Sequence, residues 1–178
     1  MPAGAGVTDN RDTSVMMTND RLTVSAYWGA RREPAERCAE RMKAFLDELR
    51  DISDSFASWY LEARSPRDAQ AQPVVVETAD LTRLVLAGIN RRDDDGAPLP
   101  ELGFRLGAWA GDPDGITAGL SATCGSHNAH LENVCVLTVT EGHDLDGEII
   151  ARIVDAAIRA WEPDGVEVNA NRVYERAR

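Results

Sequence analysis

The sequence predicts an α+β fold, in which an antiparallel sheet carries helices packed on one of its faces. Three observations lead to this prediction. One alternating strand pattern lies near the N-terminus, three more follow one another between residues 102 and 140, and amphipathic helical patterns separate and follow them. Because strands joined by short connections pair antiparallel, the three consecutive strands should form a meander beside the N-terminal strand.

The N-terminal part divides into a leader and a strand. Residues 1–20 are rich in Gly, Thr, Asn and Asp without periodicity, and they are predicted to be a disordered leader. Residues 21–178 are then expected to form a single domain. Apolar and polar residues alternate from residue 22 to residue 27, which predicts a strand ending at Trp28 and Gly29.

Helical patterns follow the first strand. Pro34 suits a first helical position, and the stripe behind it has helical spacing: Ala35, Cys38, Met42, Phe45, Leu46, Leu49 and Ile52. Residues 53–64 are predicted to continue as a second short helix with Trp59 inward. Thr78 is a suitable N-cap for a further helix, and the widest apolar stripe predicts a last helix from Asp146 to Trp161.

The meander is predicted to consist of strands at residues 102–109, 116–124 and 134–140, and Val166 and Val168 fit a further strand. Small residues on its outward side (Gly103, Gly107, Gly119, Ser121) would leave a flat face open to a partner, or would merely ease the twist of the sheet. Trp109 alternates away from Phe104 and Leu106. It is therefore either an exposed aromatic anchor or a residue buried on the second face.

Composition indicates an ordinary globular protein. The 178 residues are 43% hydrophobic and 28% charged, which suffices for a hydrophobic core. No apolar run approaches the ~20 residues of a membrane helix, and no signal peptide is present. Three cysteines argue against a disulfide framework and favour a reducing cytoplasm. A small homo-oligomer is compatible with this composition.

Charge is unevenly distributed along the chain. The net charge is −11, and residues 93–169 contain 15 acidic but only three basic residues. A negative field repels nucleic acid and attracts cationic surfaces, so direct nucleic-acid binding is not expected. Most of these carboxylates flank predicted strands, where they are either solvated turn residues or a partner-binding surface. The candidates are Asp93, Asp94, Asp95, Asp112, Asp114, Glu132, Glu141 and Asp144, with Trp109 as the anchor.

Signatures of catalysis are scarce. The chain lacks a phosphate-binding loop, a GxSxG elbow and an HExxH motif. Cys124, His127, His130 and Cys135 could converge on one strand connection as a zinc or thiol centre, although their spacing is not a usual zinc pattern. The alternative is that the cysteines are small apolar strand residues and the histidines belong to a loop. No metal, cofactor or catalytic residue is predicted.

Several segments together resemble the bacterial immunity protein 52 family. They are Tyr27-Trp28-Gly29, Arg31-Arg32-Glu33, the helix with Cys38, Phe56 to Tyr60, Asn90 to Asp94, Leu102 to Trp109 and Leu120 to Gly125. Their order and spacing, rather than any single motif, carry the resemblance over residues 22–140. The region after Gly142 matches less well, which puts a final strand in doubt.

The resemblance implies an α+β immunity protein of a polymorphic toxin system, with Trp28 as its characteristic tryptophan and without catalytic residues. Its partner would be a basic toxin domain with a restriction-endonuclease fold, which the immunity protein binds and neutralises. Physical chemistry agrees, because a nuclease presents a basic groove that an acidic surface can occupy. The alternatives are an enzyme centred on Cys124, His127, His130 and Cys135, and an adaptor for another basic protein.

Overall fold

The computed structural model describes residues 21–61, 72–112, 115–140 and 146–171, so the predicted leader lies outside the described residues. The strands are β1 (Arg21–Trp28), β2 (Trp59–Leu61), β3 (Phe104–Asp112), β4 (Gly115–Cys124), β5 (Asn133–Val139) and β6 (Gly165–Asn171). They form one sheet in the order β2-β3-β4-β5-β1-β6. Every neighbouring pair is antiparallel.

In the described part of the chain, three helices cover one face of this sheet: α1 (Ala35–Ile52), α2 (Thr78–Ala87) and α3 (Gly147–Trp161). Helix α1 packs against both other helices, while α2 contacts β3 and α3 contacts β1. The predicted α+β fold with an antiparallel sheet is therefore confirmed. Within the described residues, no helix has the length and apolarity needed to cross a membrane.

The core lies between the helices and alternate residues of the strands. Leu22, Val24, Ala26 and Trp28 of β1 face the helices and are almost fully buried. Trp161 of α3 stacks on Trp28 with ring centroids 5.2 Å apart. Because a tryptophan removes more apolar surface from water than any other side chain, this pair fixes α3 against the centre of the sheet.

The opposite face of the sheet carries the other set of strand residues. One row across it consists of Tyr60, Trp109, Gly119, Thr138 and Thr23, as the strand registers show. A Cβ atom added at Gly119 would meet nothing within 4 Å. The face is therefore open at Gly119, whereas Gly103, which was predicted on the same side, precedes β3 with φ of 69°, and a Cβ atom there would meet backbone atoms of Cys124 and Ser126.

Two predictions for individual elements are corrected. The described part of the helix predicted at residues 53–64 is not helical: Ser53 has an extended backbone, Asp54–Phe56 form a 3-10 turn, and β2 follows, while residues 62–64 lie outside the described residues. The Trp59 indole donates to the Phe56 carbonyl oxygen at 3.0 Å, and this bond holds the 3-10 turn against the start of β2. The doubtful final strand exists as β6, paired with β1 from Arg21↔Asn171 to Tyr27↔Gly165.

The two ends of the sheet differ. We call the end where β1 finishes and β3 and β5 begin the loop end. It consists of the connections Gly29–Pro34, Asn90–Gly103 and Gly125–Glu132. We call the end where β1 begins and β3 finishes the acidic end, after the carboxylates described below. Because α1 starts at the loop end and α3 starts at the acidic end, the two helices run antiparallel between them.

Candidate functional site

Hydrogen bonds bind the connections of the loop end to one another. The Arg31 backbone N–H donates to the Ser126 carbonyl oxygen at 2.8 Å, and that of His127 donates to the Glu101 carbonyl oxygen at 3.1 Å. The fully buried amide of Asn133 accepts from the Ser126 N–H at 2.9 Å and donates to the Gly29 carbonyl oxygen at 2.8 Å. Because buried polar groups are costly when unpaired, these bonds hold the loops in one arrangement.

A buried arginine ties α1 to the C-terminus of α3. The Arg41 guanidinium donates to Glu33 Oε1 at 2.7 Å, to the Ala160 carbonyl oxygen at 2.9 Å and to Glu162 Oε2 at 2.7 Å. The side chains of Arg41 and Glu33 are only 7% and 8% exposed. One cation thus neutralises a buried carboxylate and satisfies a carbonyl that the end of the helix leaves without an internal partner.

A second arginine extends this clamp to the first strand. Arg31 donates to the Trp161 carbonyl oxygen at 2.8 Å, and its guanidinium carbon lies 5.1 Å from the centroid of the Trp28 ring. Positive charge at a helix C-terminus is favourable because the helix dipole is negative there. Trp28, Arg31 and Glu33, which belong to segments that carry the family resemblance, therefore build a structural clamp.

The ionisation of the clamp follows from these contacts. The hydrogen bond from Arg41 lowers the pKa of the Glu162 carboxyl below its ordinary value. For Arg41, burial opposes the charge, but the hydrogen bonds with Glu162 and Glu33 outweigh it and raise the pKa of the guanidinium. Glu162 also has a left-handed backbone with φ of 47° at the C-cap of α3, a conformation that non-glycine residues rarely adopt.

The predicted acidic run Asp93 to Asp95 lies in the second connection of the loop end and is exposed. Arg92 pairs with Asp94 at 3.1 Å and with Asp95 at 3.7 Å, and Arg91 donates to the Gly96 carbonyl oxygen at 3.1 Å. The hydrogen bond from Arg92 lowers the pKa of the Asp94 carboxyl. Two arginines within the same connection thus offset much of its negative charge.

The predicted carboxylates do not converge on one surface. Glu132 is exposed at the loop end together with Asp93 to Asp95, whereas the backbone of Asp112 ends β3 at the acidic end. A nine-residue strand separates these ends, which corresponds to about 27 Å. Asp114, Glu141 and Asp144 lie outside the described residues.

The acidic end carries carboxylates that the sequence did not single out. Asp51 and Asp54 lie at the end of α1, Asp146 and Glu148 lie at the start of α3, and all four are exposed. The Arg152 guanidinium donates to the Asp51 carbonyl oxygen at 3.0 Å, which joins the two helix ends. Within the described residues, the side chains of Asp51, Asp54 and Glu148 form no ion pair.

One signal for this surface is present in the sequence. Asp51 lies in the last turn of α1, where the helix dipole is negative and a carboxylate is unfavourable. Asp146, by contrast, stabilises α3, because its Oδ1 accepts from the Ile149 N–H at 2.8 Å. Asp51 is thus placed where its charge costs stability.

Of the two alternatives predicted for Trp109, burial on the face opposite to the helices is observed, and the exposed anchor is wrong. Trp109 is only 6% exposed, and its ring centroid lies 5.1 Å from that of the partly exposed Tyr60 ring. The neighbouring β2 and its bridge from Tyr60 to Pro73 explain the burial. Sequence alternation gave the face but could not show that a further strand covers its edge.

The Cys and His constellation is not brought together. Cys124 and Cys135 are buried on the helix-facing side of the sheet, whereas His127 and His130 are exposed in their loop. A hydrogen bond with Cys38, together with burial, raises the pKa of the Cys124 thiol, and burial raises that of Cys135. Neither thiol is poised as a thiolate. Among the described residues, no group of three potential ligands could hold a metal ion.

Comparison with known proteins agrees with the resemblance noted in the sequence. The family model described as Immunity protein 52 matches residues 20–178, nearly the whole chain. Comparison with curated proteins gives no match. Such a family implies an immunity protein of a toxin system that binds its cognate toxin, and it suggests a non-enzymatic role. Since the match covers β1 to β6 and all three helices, the chain belongs to the Immunity protein 52 family.

Proposed function

We propose that the protein neutralises a cognate nuclease toxin with a restriction-endonuclease fold, in the cytoplasm, by non-catalytic binding through an acidic surface. Family membership supports the immunity role. The observation that carries the proposed surface is the set of exposed carboxylates at the acidic end that form no ion pair within the described part of the chain. Asp112, Asp114, Glu141 and Asp144 flank strands in the sequence and remain candidate partner-binding residues.

Electrostatics explains how such a surface recognises a nuclease. A nuclease holds the phosphate backbone with Lys and Arg side chains, and an acidic protein surface competes for the same cations. Carboxylates that are not already paired keep their full attraction for a partner. The acidic end therefore steers association more strongly than the loop end, where Arg91 and Arg92 offset Asp93 to Asp95.

Affinity also requires an apolar contact that excludes water. Tyr60 is partly exposed beside the acidic end, and its ring rests on the buried ring of Trp109. Because packing against Trp109 already restricts the Tyr60 side chain, Tyr60 loses little conformational entropy on binding. We therefore assign the anchor to Tyr60 and a supporting role to Trp109.

The experiment compares the two ends at equal net charge. One variant combines Asp51→Lys, Asp54→Lys and Glu148→Lys at the acidic end. The matched control combines Asp93→Lys, Asp95→Lys and Glu132→Lys at the loop end. Both variants change the net charge of the protein equally. A difference in their binding therefore reports where the charges lie rather than the net charge of the protein. The readouts are growth of cells that express the toxin domain encoded beside the protein, and the association rate at several salt concentrations.

We expect the acidic-end variant to slow association by about 10–100-fold at low salt and to lose growth protection. The loop-end control should change association much less. Equal effects from both variants, or none from either, would refute the acidic end as the surface. Protection against a toxin that does not cleave nucleic acid would instead favour an adaptor for another basic protein.

A further inference from the structure

We propose that β6 is a self-association edge, through which two copies pair as antiparallel strands about a two-fold axis at Val168. Strand β6 ends the sheet, and among the described strands it pairs only with β1. It is seven residues long and contains no Pro or Lys. Exposed edges of this kind present unpaired N–H and C=O groups to another strand, and proteins usually block them with such residues.

The side chains of β6 favour an uncharged partner. Val166, Val168 and Ala170 lie on the helix-facing side, as their pairing with Ala26, Val24 and Leu22 shows. Val168 is 43% exposed, because no described element covers the outer side of β6.

Helix α3 extends this apolar strip. Arg152 and Arg159 contact α1 through the Asp51 carbonyl oxygen and the Glu48 carboxylate, so they mark the flank of α3 that faces α1. At 3.6 residues per turn, Ala151, Val154 and Ile158 lie on the other flank, toward the β6 side. Ile158 is 46% exposed. A groove lined by aliphatic side chains therefore runs beside the strand edge.

Charge argues for a second copy rather than for the basic toxin. Glu167 is the one ionisable residue of β6, and alternation places it on the face opposite to the helices. A cationic partner would gain little at this edge. A second copy, in contrast, offers the same apolar strip, and isologous contacts require only that a surface complement itself.

The sequence of β6 also selects the register. With Val168 on the axis, Val168 opposes the partner's Val168, Val166 opposes the partner's Ala170, and Glu167 opposes the partner's Asn169. With Glu167 on the axis, two carboxylates would face each other, which is unfavourable. The first register therefore brings the exposed Val168 of each copy together and avoids the repulsion.

The groove dimensions fit this pairing. In the paired sheet, β1 of one copy and β1 of the other would be three strand spacings apart, about 14 Å. Helix α3 contacts β1 in each copy, so the two α3 axes would lie about 14 Å apart, wider than the 8–10 Å at which helices pack directly, which leaves room for side chains between them. The two Ile158 side chains would then close over the paired valines.

The test uses the full chain in analytical ultracentrifugation over a range of concentrations. Val168→Lys should raise the dimer dissociation constant by at least about 10-fold, because it places two cations opposite each other. Leu86→Lys, at an equally exposed apolar site on α2, should leave it unchanged. Circular dichroism verifies the fold, and Ile158→Arg provides a second disrupting variant outside the strand.

Charge complementation tests the register. Mixing Val168→Lys with Val168→Glu should restore a heterodimer, and Val168→Cys should form an intermolecular disulfide under mild oxidation. A monomeric wild-type protein at every concentration would overturn the proposal, as would dimers that Val168→Lys and Ile158→Arg leave intact. Growth protection by Val168→Lys distinguishes failure of this proposal from failure of the proposed function, since the acidic end is unaltered in that variant.

Discussion

The loop end and the acidic end of the sheet use charge in opposite ways. At the loop end, the guanidinium groups of Arg41 and Arg31 form ion pairs and hydrogen bonds within the protein. Their partners are Glu33, Glu162 and the last carbonyl oxygens of α3. At the acidic end, Asp51, Asp54 and Glu148 are exposed and form no ion pair with any residue that the structure describes. The first arrangement stabilises the fold, and the second leaves charge available to a partner.

This difference shows that a segment rich in acidic residues does not by itself identify the surface on which unpaired carboxylates lie. The excess of acid after residue 93 includes Asp93 to Asp95, which Arg92 partly neutralises, and Glu162, which Arg41 holds. Asp51 and Asp54 come from the half of the chain whose charges nearly balance. Only the fold shows which carboxylates remain without an internal cation.

The largest expected effect comes from breaking the clamp at the loop end. Arg41→Ala removes the hydrogen-bonded cation of the buried Glu33, which keeps an ion pair with Arg31 at 3.3 Å, and it should lower the free energy of unfolding by up to about 3–5 kcal/mol. Urea unfolding measures this change. The control is Arg37→Ala, because Arg37 pairs with Glu40 on the surface at 3.0 Å, and such pairs contribute at most about 1 kcal/mol.

The association rate of Arg41→Ala with the toxin tests whether the loop end and the acidic end act independently. If the two ends are independent, the folded fraction of Arg41→Ala should associate with the toxin at the wild-type rate. A slower rate per folded molecule would mean that the loop end itself contributes to the interface.

A smaller effect is expected from one carboxylate at each end of α1. Asp51→Asn should raise the free energy of unfolding by about 0.3–1 kcal/mol, because it removes a negative charge from the helix C-terminus. Glu36→Gln, in the first turn of α1, should lower it by a similar amount. Thermal unfolding of both variants at low salt gives the two signs; equal signs would contradict an effect of the helix dipole.

Stability and toxin binding should change in opposite directions when the Asp51 carboxylate is removed. We expect Asp51→Asn to be more stable yet slower in binding the toxin, whereas Glu36→Gln should bind normally. A normal association rate for Asp51→Asn would remove Asp51 from the proposed surface.

The smallest effect concerns the pH dependence of the clamp. Since Arg41 lowers the pKa of the folded-state Glu162 carboxyl, this group stabilises the fold above its unfolded pKa, near 4.3. The contribution is lost as the pH falls through the lower folded value. Glu162→Gln should therefore be less stable than wild type at neutral pH, and the gap should close in acid. A gap that is constant from neutral pH to pH 3 would contradict this role.

The sequence predicted much of the fold because its periodicities are strong. The alternation in β1 and in the meander, and the apolar stripes of α1 and α3, each agree with the structure. The spacing of Phe56, Trp59 and Tyr60 is typical of a helix, yet residues 53–61 form a 3-10 turn and β2. A three-residue strand such as β2 is defined by its pairing with β3 rather than by its own sequence.

The candidate site was less predictable because it depends on what lies nearby. Whether Asp94 or Asp51 is paired depends on the positions of Arg92 and Arg152, which strand and helix patterns do not give. Likewise, the burial of Trp109 depends on Tyr60, which a separate strand supplies. The grouping of immunity-family residues around Trp28 and Arg31 indicated a shared fold more than a shared contact surface.

The clamp between Arg41 and the end of α3 has a consequence for recognition at a distance. Hydrogen bonds of Arg41 hold α1 and α3 together at the loop end. Their opposite ends, at the acidic end, are therefore already in a fixed arrangement before a partner binds. Rigid presentation reduces the entropy lost on association. A substitution that loosens the clamp is therefore expected to weaken the affinity for the toxin through faster dissociation, whereas electrostatically steered association stays at the wild-type rate.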